Sequence, residues 1–443
     1  MMKYCLSIVF AFTVVFGNSQ SDSLGNAFSL SQAQEYGTKN SNKAKRVAAQ
    51  VEITVKKKKE VRAIGLPQVT GEVKFQNFLD IPTTLIPADA LGGPAGEFRS
   101  VQFGTDYNTS AGLTASQLLF DGSYLVGLKI ADDYTGLYTQ QEEKTLLEIK
   151  DDVTKAYYNV LVAFEMKDLL IQTQGAWQKI LQDITAMNEA GIIDELSVDR
   201  QTLQVSTLES EILYVDRQIS MGLDFLKFNM GMDIVEPITL TDNLAAIVAE
   251  LNYDDLSNQN FSLEKSIDYR ILQTSQNILK LSLQNEQYTN LPSLSAYFSH
   301  TQNNMGNDID FETWYPTTLW GINATIPLFG SGSRMYKSQI AQIELERGAM
   351  EMTEVEQALK LASLSAKSEL KSAYEQHIIA QKNVDISKRI LDVTTTRFKE
   401  GVAPSLELSQ TQAQHIDVQR KYAQSLIHLL NAKTKLDKAH NNY

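Results

Sequence analysis

The side chains that most often carry chemistry are scattered in this sequence. Its five histidines, His300, His377, His415, His428 and His440, include no i, i+4 pair, so no helix face offers two imidazoles to one metal ion. His377 falls on a helical seam and reads as a packed residue. The 11 methionines form no Met-x-x-Met array and read as packing. The one cysteine, Cys5, lies at the extreme N-terminus, so no disulfide and no cysteine metal site is expected. The chain carries no phosphate-binding loop, nucleophile elbow or paired catalytic carboxylates, and acidic residues dispersed along helices are no sign of catalysis. These residues imply neither an enzyme nor a cofactor or metal. The net charge of −13 argues against a general nucleic-acid binder. Lys56–Lys59 reads first as a solvated charge run; contact with anionic lipid headgroups is the alternative, because the run closely precedes the first strand.

The elements around these residues are long. Only 9 prolines occur in 443 residues, which favours uninterrupted helices over many small strands. The N-terminus reads as a secretory signal: Lys3, an apolar run from Tyr4 to Phe16, then polar Gly17 to Gln20, with cleavage expected near Gln20. That run is too short to span a bilayer as a helix, and no later segment has about 18 consecutive apolar residues. An exported chain of this kind is periplasmic, extracellular or a β-barrel.

The sequence is written twice. Leu66-Pro67 is matched by Leu291-Pro292, an offset of 225 residues. Gly112–Phe120 (GLTASQLLF) is matched by Gly321–Phe329 (GINATIPLF), an offset of 209. Gly191 with Leu196 is matched by Gly401 with Leu406, an offset of 210. The order is the same in both copies, and the changed offset places a longer connection in the first, marked as a loop by Gly92-Gly93-Pro94. Each copy runs short helix, strand, strand, long helix, short helix.

Period-2 alternation predicts strands over Gln68–Gln76 and Val101–Gln117 in the first copy. In the second it predicts strands around Leu294–Phe298 and Trp320–Leu328. Their polar faces are continuous. Strands of this length, with the aromatic set Trp314, Tyr315 and Trp320, fit a transmembrane barrel better than a soluble sandwich. The long helices are expected near 123–190 and 332–400, with heptad-like seams such as Leu146, Ile149, Val153, Ala156, Val160 and Ala163. At ~1.5 Å per residue each would reach about 100 Å. The short helices near 30–64 and 195–230 together match one long helix, so they are expected to stack end to end beside it. The unmatched segment 232–260 would then sit near mid-height. Gly191 and Gly401 read as helix stops.

Lipid cannot satisfy the open edges of a sheet, and bacterial barrels start at about eight strands. Four strands are too few for one chain. If they enter the membrane, several chains must share one barrel, with the polar strand faces lining a lumen that the helices prolong. These steps leave the number of chains open.

Over nearly the whole mature chain the sequence resembles the outer membrane efflux protein family of TolC-like export ducts. The resemblance rests on Phe28–Ala33 leading to Asn40, on the two Leu-Pro pairs, and on Gln117–Gly122 and Ile326–Gly330 at the strand-to-helix turns. It rests also on Arg397–Gly401 through Leu406–Leu408 at a tip turn. It implies an α+β membrane protein with a duplicated helix-strand-strand-long helix-helix unit. Three chains would form a 12-stranded β-barrel continued by a 12-helix periplasmic α-barrel. The expected division is signal peptide 1–20, first short helix 21–65, first strand pair 66–120, tunnel helices of the first repeat 121–231, and connector 232–260. A short helix 261–290, the second strand pair 291–329 and tunnel helices 330–443 follow.

The resemblance also implies a homotrimer in the outer membrane, in contact with its lipid. A periplasmic adaptor and an inner-membrane transporter are the implied partners. Gly191, Leu196, Gly401 and Leu406 would be the adaptor-docking tips. Ser197, Glu407 and Gln410 stand where some members ring the aperture with acids; with only Glu407 acidic, a trimer would carry three carboxylates. The competing reading is a periplasmic adaptor or helical scaffold of an export complex.

Overall fold

The computed structural model describes residues 27–251, 253 and 260–441; the expected signal segment, Cys5 and part of the expected connector lie outside the described residues. The chain opens with β1 (Ala27–Phe28), α1 (Leu30–Asn40) and α2 (Asn42–Ile64). It continues through β2 (Gln68–Asn77), β3 (Thr83–Pro87), β4 (Phe98–Gln102) and β5 (Tyr107–Phe120). The first hairpin of helices is α3 (Gly122–Glu189) and α4 (Glu195–Met230), followed by β6 (Thr239–Leu240) and α5 (Leu244–Ala249). The second half runs α6 (Ile267–Tyr288), β7 (Ser293–Gly306), β8 (Tyr315–Thr325), α7 (Ser333–Lys399) and α8 (Ser405–His440). The duplication is metrical: α3 and α7 have 68 and 67 residues, and α4 and α8 have 36 each.

Local chemistry explains the boundaries. Ser29 and Gln32 form a reciprocal capping box that starts α1. The Asp121 carboxylate accepts from the Tyr124 backbone N–H at 2.9 Å and starts α3. The expected first short helix is instead two helices, because Ser41 leaves the helical region and its hydroxyl caps α2 by accepting from the Ala44 N–H at 3.2 Å. Gly231, the end of α4, seats on this break. Its φ is +75°, and a Cβ there would lie 2.5 Å from Ser41 Cα, so only glycine lets the two short helices meet end to end.

The segment after α4 folds against the middle of α3. Ile238 and Leu244 join Ile149, Val153, Tyr157, Leu226, Met230 and Leu430 in one buried cluster. The Tyr157 hydroxyl donates to the Phe28 carbonyl at 2.9 Å, fixing the first residues to the same level. A second cluster (Leu170, Trp177, Ile184, Leu208, Val215 and Leu408) fills the lower helices. A third (Ala366, Leu370, Ala373, Leu429 and Leu436) holds α7 against α8. The small residues of the third cluster permit close approach of the two helices.

The main sheet has the order β2-β5-β7-β8, antiparallel throughout. Each strand continues into one helix: β2 from α2, β5 into α3, β7 from α6 and β8 into α7. Those helices neighbour one another in the same lateral order, so sheet and helices form one continuous curtain. The expected strand Val101–Gln117 is interrupted. Residues 103–106 leave the ladder at Gly104, and β4 pairs instead with β3 in a separate hairpin. This hairpin is the longer connection of the first copy.

Candidate functional site

The sheet itself is the first functional feature, because none of the described residues packs over it as a second layer. In β2, Val69, Val73 and Phe75 are 67%, 80% and 52% exposed, and in β8 Trp320 and Ile322 are 76% and 59% exposed. A soluble sheet buries one face in a core; this one buries neither. Register sorts the side chains. Val69, Ala115, Phe298 and Trp320 stand in one cross-strand row, and Val73 and Ala111 in another on the same face. The opposite face carries Thr70, Glu72 and Lys74 beside Thr114, Gly112 and Ser110, then Ser299, Thr301 and Asn303. The apolar face changes character towards the distal turn, where β7 places His300, Gln302 and Asn304 on it. There the His300 Nδ1 lies 2.7 Å from the Thr318 hydroxyl.

β2 and β8 are the open edges. Each ends the ladder with unpaired backbone groups along 10 and 11 residues respectively. The four strands therefore do not close within one chain.

The helix tips are the second feature. Gly191 and Gly401 have φ of +71° and +74°. Both close the same reversal: Gly191 N–H donates to Asn188 O and Ile192 N–H to Met187 O, as Gly401 donates to Phe398 O and Val402 to Arg397 O. This is the left-handed C-terminal cap that favours glycine. Leu196 and Leu406 are 52% and 49% exposed just beyond the turns. Ile192 and Val402, which sequence reasoning passed over, are more exposed still; their position directly after each glycine was the available signal.

The three residues expected at the aperture differ. Ser197 is buried; its hydroxyl donates to the Asp194 carboxylate at 2.6 Å, and this bond holds the Asp194 carboxyl below the usual range. Glu407 is half-buried and ion-paired with Arg397 at 3.2 Å. Gln410 is exposed. Polar links between the two helical hairpins include Lys399 to Asp183 at 2.7 Å, Arg420 to Glu211 at 3.1 Å, Arg200 Nη1 to the Ser405 hydroxyl at 3.2 Å, and the Gln419 amide, which donates to the Thr173 hydroxyl at 3.4 Å.

Above the tips, His377, His415 and His440 are buried along the α7–α8 seam. His377 contacts the Ser425 hydroxyl and stacks on Tyr422, with ring centroids 5.5 Å apart. His415 lies 2.9 Å from the Ser387 hydroxyl and 3.0 Å from the Gln419 amide. Burial pushes all three imidazoles below the usual histidine range. Among the described residues no cluster of His, Cys, Asp and Glu could hold a metal ion, and no helix is long and apolar enough to cross a membrane.

Residues 282–442 match the family described as outer membrane efflux protein. The chain is 22% identical over 395 residues to outer membrane protein TolC of Salmonella enteritidis, covering 82% of this chain and 77% of that protein. Among solved structures, CusC superposes with a TM-score of 0.74 at 14% identity, covering 93% of this chain and 91% of the other. The CmeC outer membrane channel of Campylobacter jejuni superposes with a TM-score of 0.71 at 15% identity, covering 93% and 85%. The described fold is thus that of the TolC-like channels, predominantly helical.

Proposed function

We propose that this chain, a member of the outer membrane efflux protein family, is the exit duct of a tripartite efflux or type I secretion system. It stands in the outer membrane and extends into the periplasm. Cargo passes from an inner-membrane pump and a periplasmic adaptor through its lumen to the outside, and the duct itself does no chemistry.

The observation that carries this reading is the uncovered sheet with two open edges. Hydrocarbon tolerates no unpaired backbone, so β2 of one protomer must meet β8 of the next. Three copies supply twelve strands, and the twelve helices beneath them, in the same lateral order, continue the wall. The row of Val69, Phe298 and Trp320 faces lipid, and the Thr70–Thr114–Ser299 face lines the lumen. The tips at Gly191 and Gly401 end the tunnel. Exposed Leu196 and Leu406 dock the adaptor, and Glu407 and Gln410, with Ser197 packed behind them, lie at the aperture.

The test is membrane fractionation followed by planar-bilayer recording. The purified oligomer should fractionate with outer membranes and insert as a channel. A chain that stays soluble without detergent and never conducts would overturn the reading.

A further inference from the structure

We infer that a basic collar just below the barrel binds anionic phospholipid headgroups of the periplasmic leaflet and neutralises repulsion between neighbouring protomers. The inference rests on the membrane placement of the sheet proposed above.

The charge is concentrated where helix meets strand. The last ten residues of α2 contain Lys56 to Lys59 and Arg62, with Glu60 the only acid. The first ten of α7 contain Arg334 and Lys337 with no acid, and the first ten of α3 contain Lys129 with none. The last ten of α6 balance Lys280 against Glu286. These four segments together carry +7, in a chain whose net charge is −13. At ~1.5 Å per residue they lie within about 15 Å of the strands.

Among the described residues two ion pairs draw on this collar: Lys58 with Asp132 at 2.7 Å, and Lys56 with Glu52 at 3.8 Å. Among the described residues Lys57, Lys59, Arg62 and Lys337 have no ion pair and are exposed. Consecutive helical residues turn by about 100°, so Lys56–Lys59 presents an ammonium on every side of α2. Directly above the collar the chain exposes apolar side chains: Ile64 is 58% exposed, Leu66 59%, Ile326 60%, Leu328 89% and Phe329 87%. An apolar band with cations beneath it is the profile of a headgroup boundary, because lysine and arginine stems lie along the apolar layer while their charges reach phosphate. That profile selects a lipid leaflet over a protein partner.

The collar also sits at the seam. α2 and α7 are the edge helices of the curtain, as β2 and β8 are the edge strands. Closing the ring brings Lys59 and Arg62 of one protomer to the level of Arg334 and Lys337 of the next. Like charges there destabilise the closed ring unless an anion lies between them. A phosphodiester headgroup at that seam is held by lysine as a point charge and by arginine through paired donors.

The experiment uses the detergent-purified full-length oligomer with phosphatidylglycerol or phosphatidylcholine added. Retained lipid is counted by native mass spectrometry and oligomer dissociation is followed on heating. The wild type should retain at least about tenfold more phosphatidylglycerol than phosphatidylcholine and dissociate at a higher temperature with the former. Lys57→Gln/Lys59→Gln/Arg62→Gln and, independently, Arg334→Gln/Lys337→Gln should each reduce that preference severalfold. Lys57→Arg/Lys59→Arg should keep it, which separates charge from folding. Equal retention of the two lipids by the wild type would overturn the inference. So would displacement of phosphatidylglycerol by millimolar inorganic phosphate, which would make the collar a free-anion site. Loss of a co-purifying periplasmic protein in the glutamine variants, with lipid preference intact, would overturn it too. Bilayer recording on the same samples keeps the two readings apart: conductance without lipid preference removes the collar alone, whereas no conductance removes the duct.

Discussion

The Lys399 ammonium lies 2.7 Å from the Asp183 carboxylate, joining the last turns of the two long helices, α7 and α3. With Arg420–Glu211, Arg200–Ser405 and Gln419–Thr173 it ties the second hairpin to the first. In the proposed duct, a lower end that opens by parting of the hairpins would be biased closed by these links. All the charged partners are part-exposed, and such pairs contribute only about 0.2–1 kcal/mol each.

Lys399→Ala with Arg420→Ala should therefore raise the resting conductance by a few-fold to about tenfold without changing fully open conductance. Single-channel recording reads both levels. Unchanged closed-state current in the double variant would mean that these pairs do not restrain the gate.

Glu407→Gln should change ion selectivity more than leak. The carboxylate is held by Arg397, so its removal leaves one uncompensated cation per protomer beside the tip turn. The reversal potential under a salt gradient should move towards anion preference, and Ser197→Asp in the same background should move it back. A reversal potential insensitive to both changes places Glu407 away from the ion path.

Docking should depend on the exposed leucines rather than on the turn itself. Leu196→Ser with Leu406→Ser should weaken adaptor binding by roughly tenfold or more, at about 1–2 kcal/mol per lost apolar contact, and leave oligomer stability unaltered. Gly401→Ala meets no neighbouring atom but holds φ at +74°, which costs roughly 1 kcal/mol of local strain. It should lower thermal stability slightly, whereas Gly401→Asn should be better tolerated. Binding of the purified adaptor to immobilised duct distinguishes the two sets.

The α7–α8 seam should weaken in acid. His377, His415 and His440 are held below the usual histidine value by burial. The unfolded chain therefore binds more protons than the folded one once pH falls below about 6.5. The stabilisation is complete above that value and is lost as pH falls through it towards the lowered folded values. Charges near the rings do not reverse the sign: Asp392 opposes the shift at His415 and Asp437 opposes it at His440, while Lys388 and Lys367 reinforce it. The melting temperature of the oligomer should drop by a few degrees between neutral pH and pH ~5. A variant carrying His377→Gln, His415→Gln and His440→Gln should show a flatter profile. Equal slopes in both proteins would assign the pH dependence elsewhere.

Much of this architecture is legible in the residue pattern, because long helices announce themselves by period. The seam through Ile149, Val153, Ala156 and Val160 is buried along α3, and the glycines at 191 and 401 end both long helices in the left-handed region. Two features escaped. Alternation through Val101–Gln117 carries no mark of a break, yet Gly104 turns the chain and sends Phe98–Gln102 to pair with Thr83–Pro87. The helix break at Ser41 depends on the end of α4 arriving at Gly231, a contact 190 residues away in sequence. Site residues follow the same division. The exposure of Leu196 and Leu406 follows from their turns, and the Ser197–Asp194 bond, three residues apart at a helix start, is equally local. The tip links join residues more than 200 positions apart, which no local pattern encodes.

The central claim is that one protomer's β2 edge pairs with its neighbour's β8 edge. Single cysteines on the same sheet face test it directly: Thr70→Cys, Glu72→Cys or Lys74→Cys on β2, each combined with Thr317→Cys, Leu319→Cys or Asn323→Cys on β8. Mild oxidation of intact outer membranes should give, for at least one pair, a reducible ladder ending at three chains. If every pair yields only uncrosslinked chain or a bond within one chain, the shared barrel is contradicted.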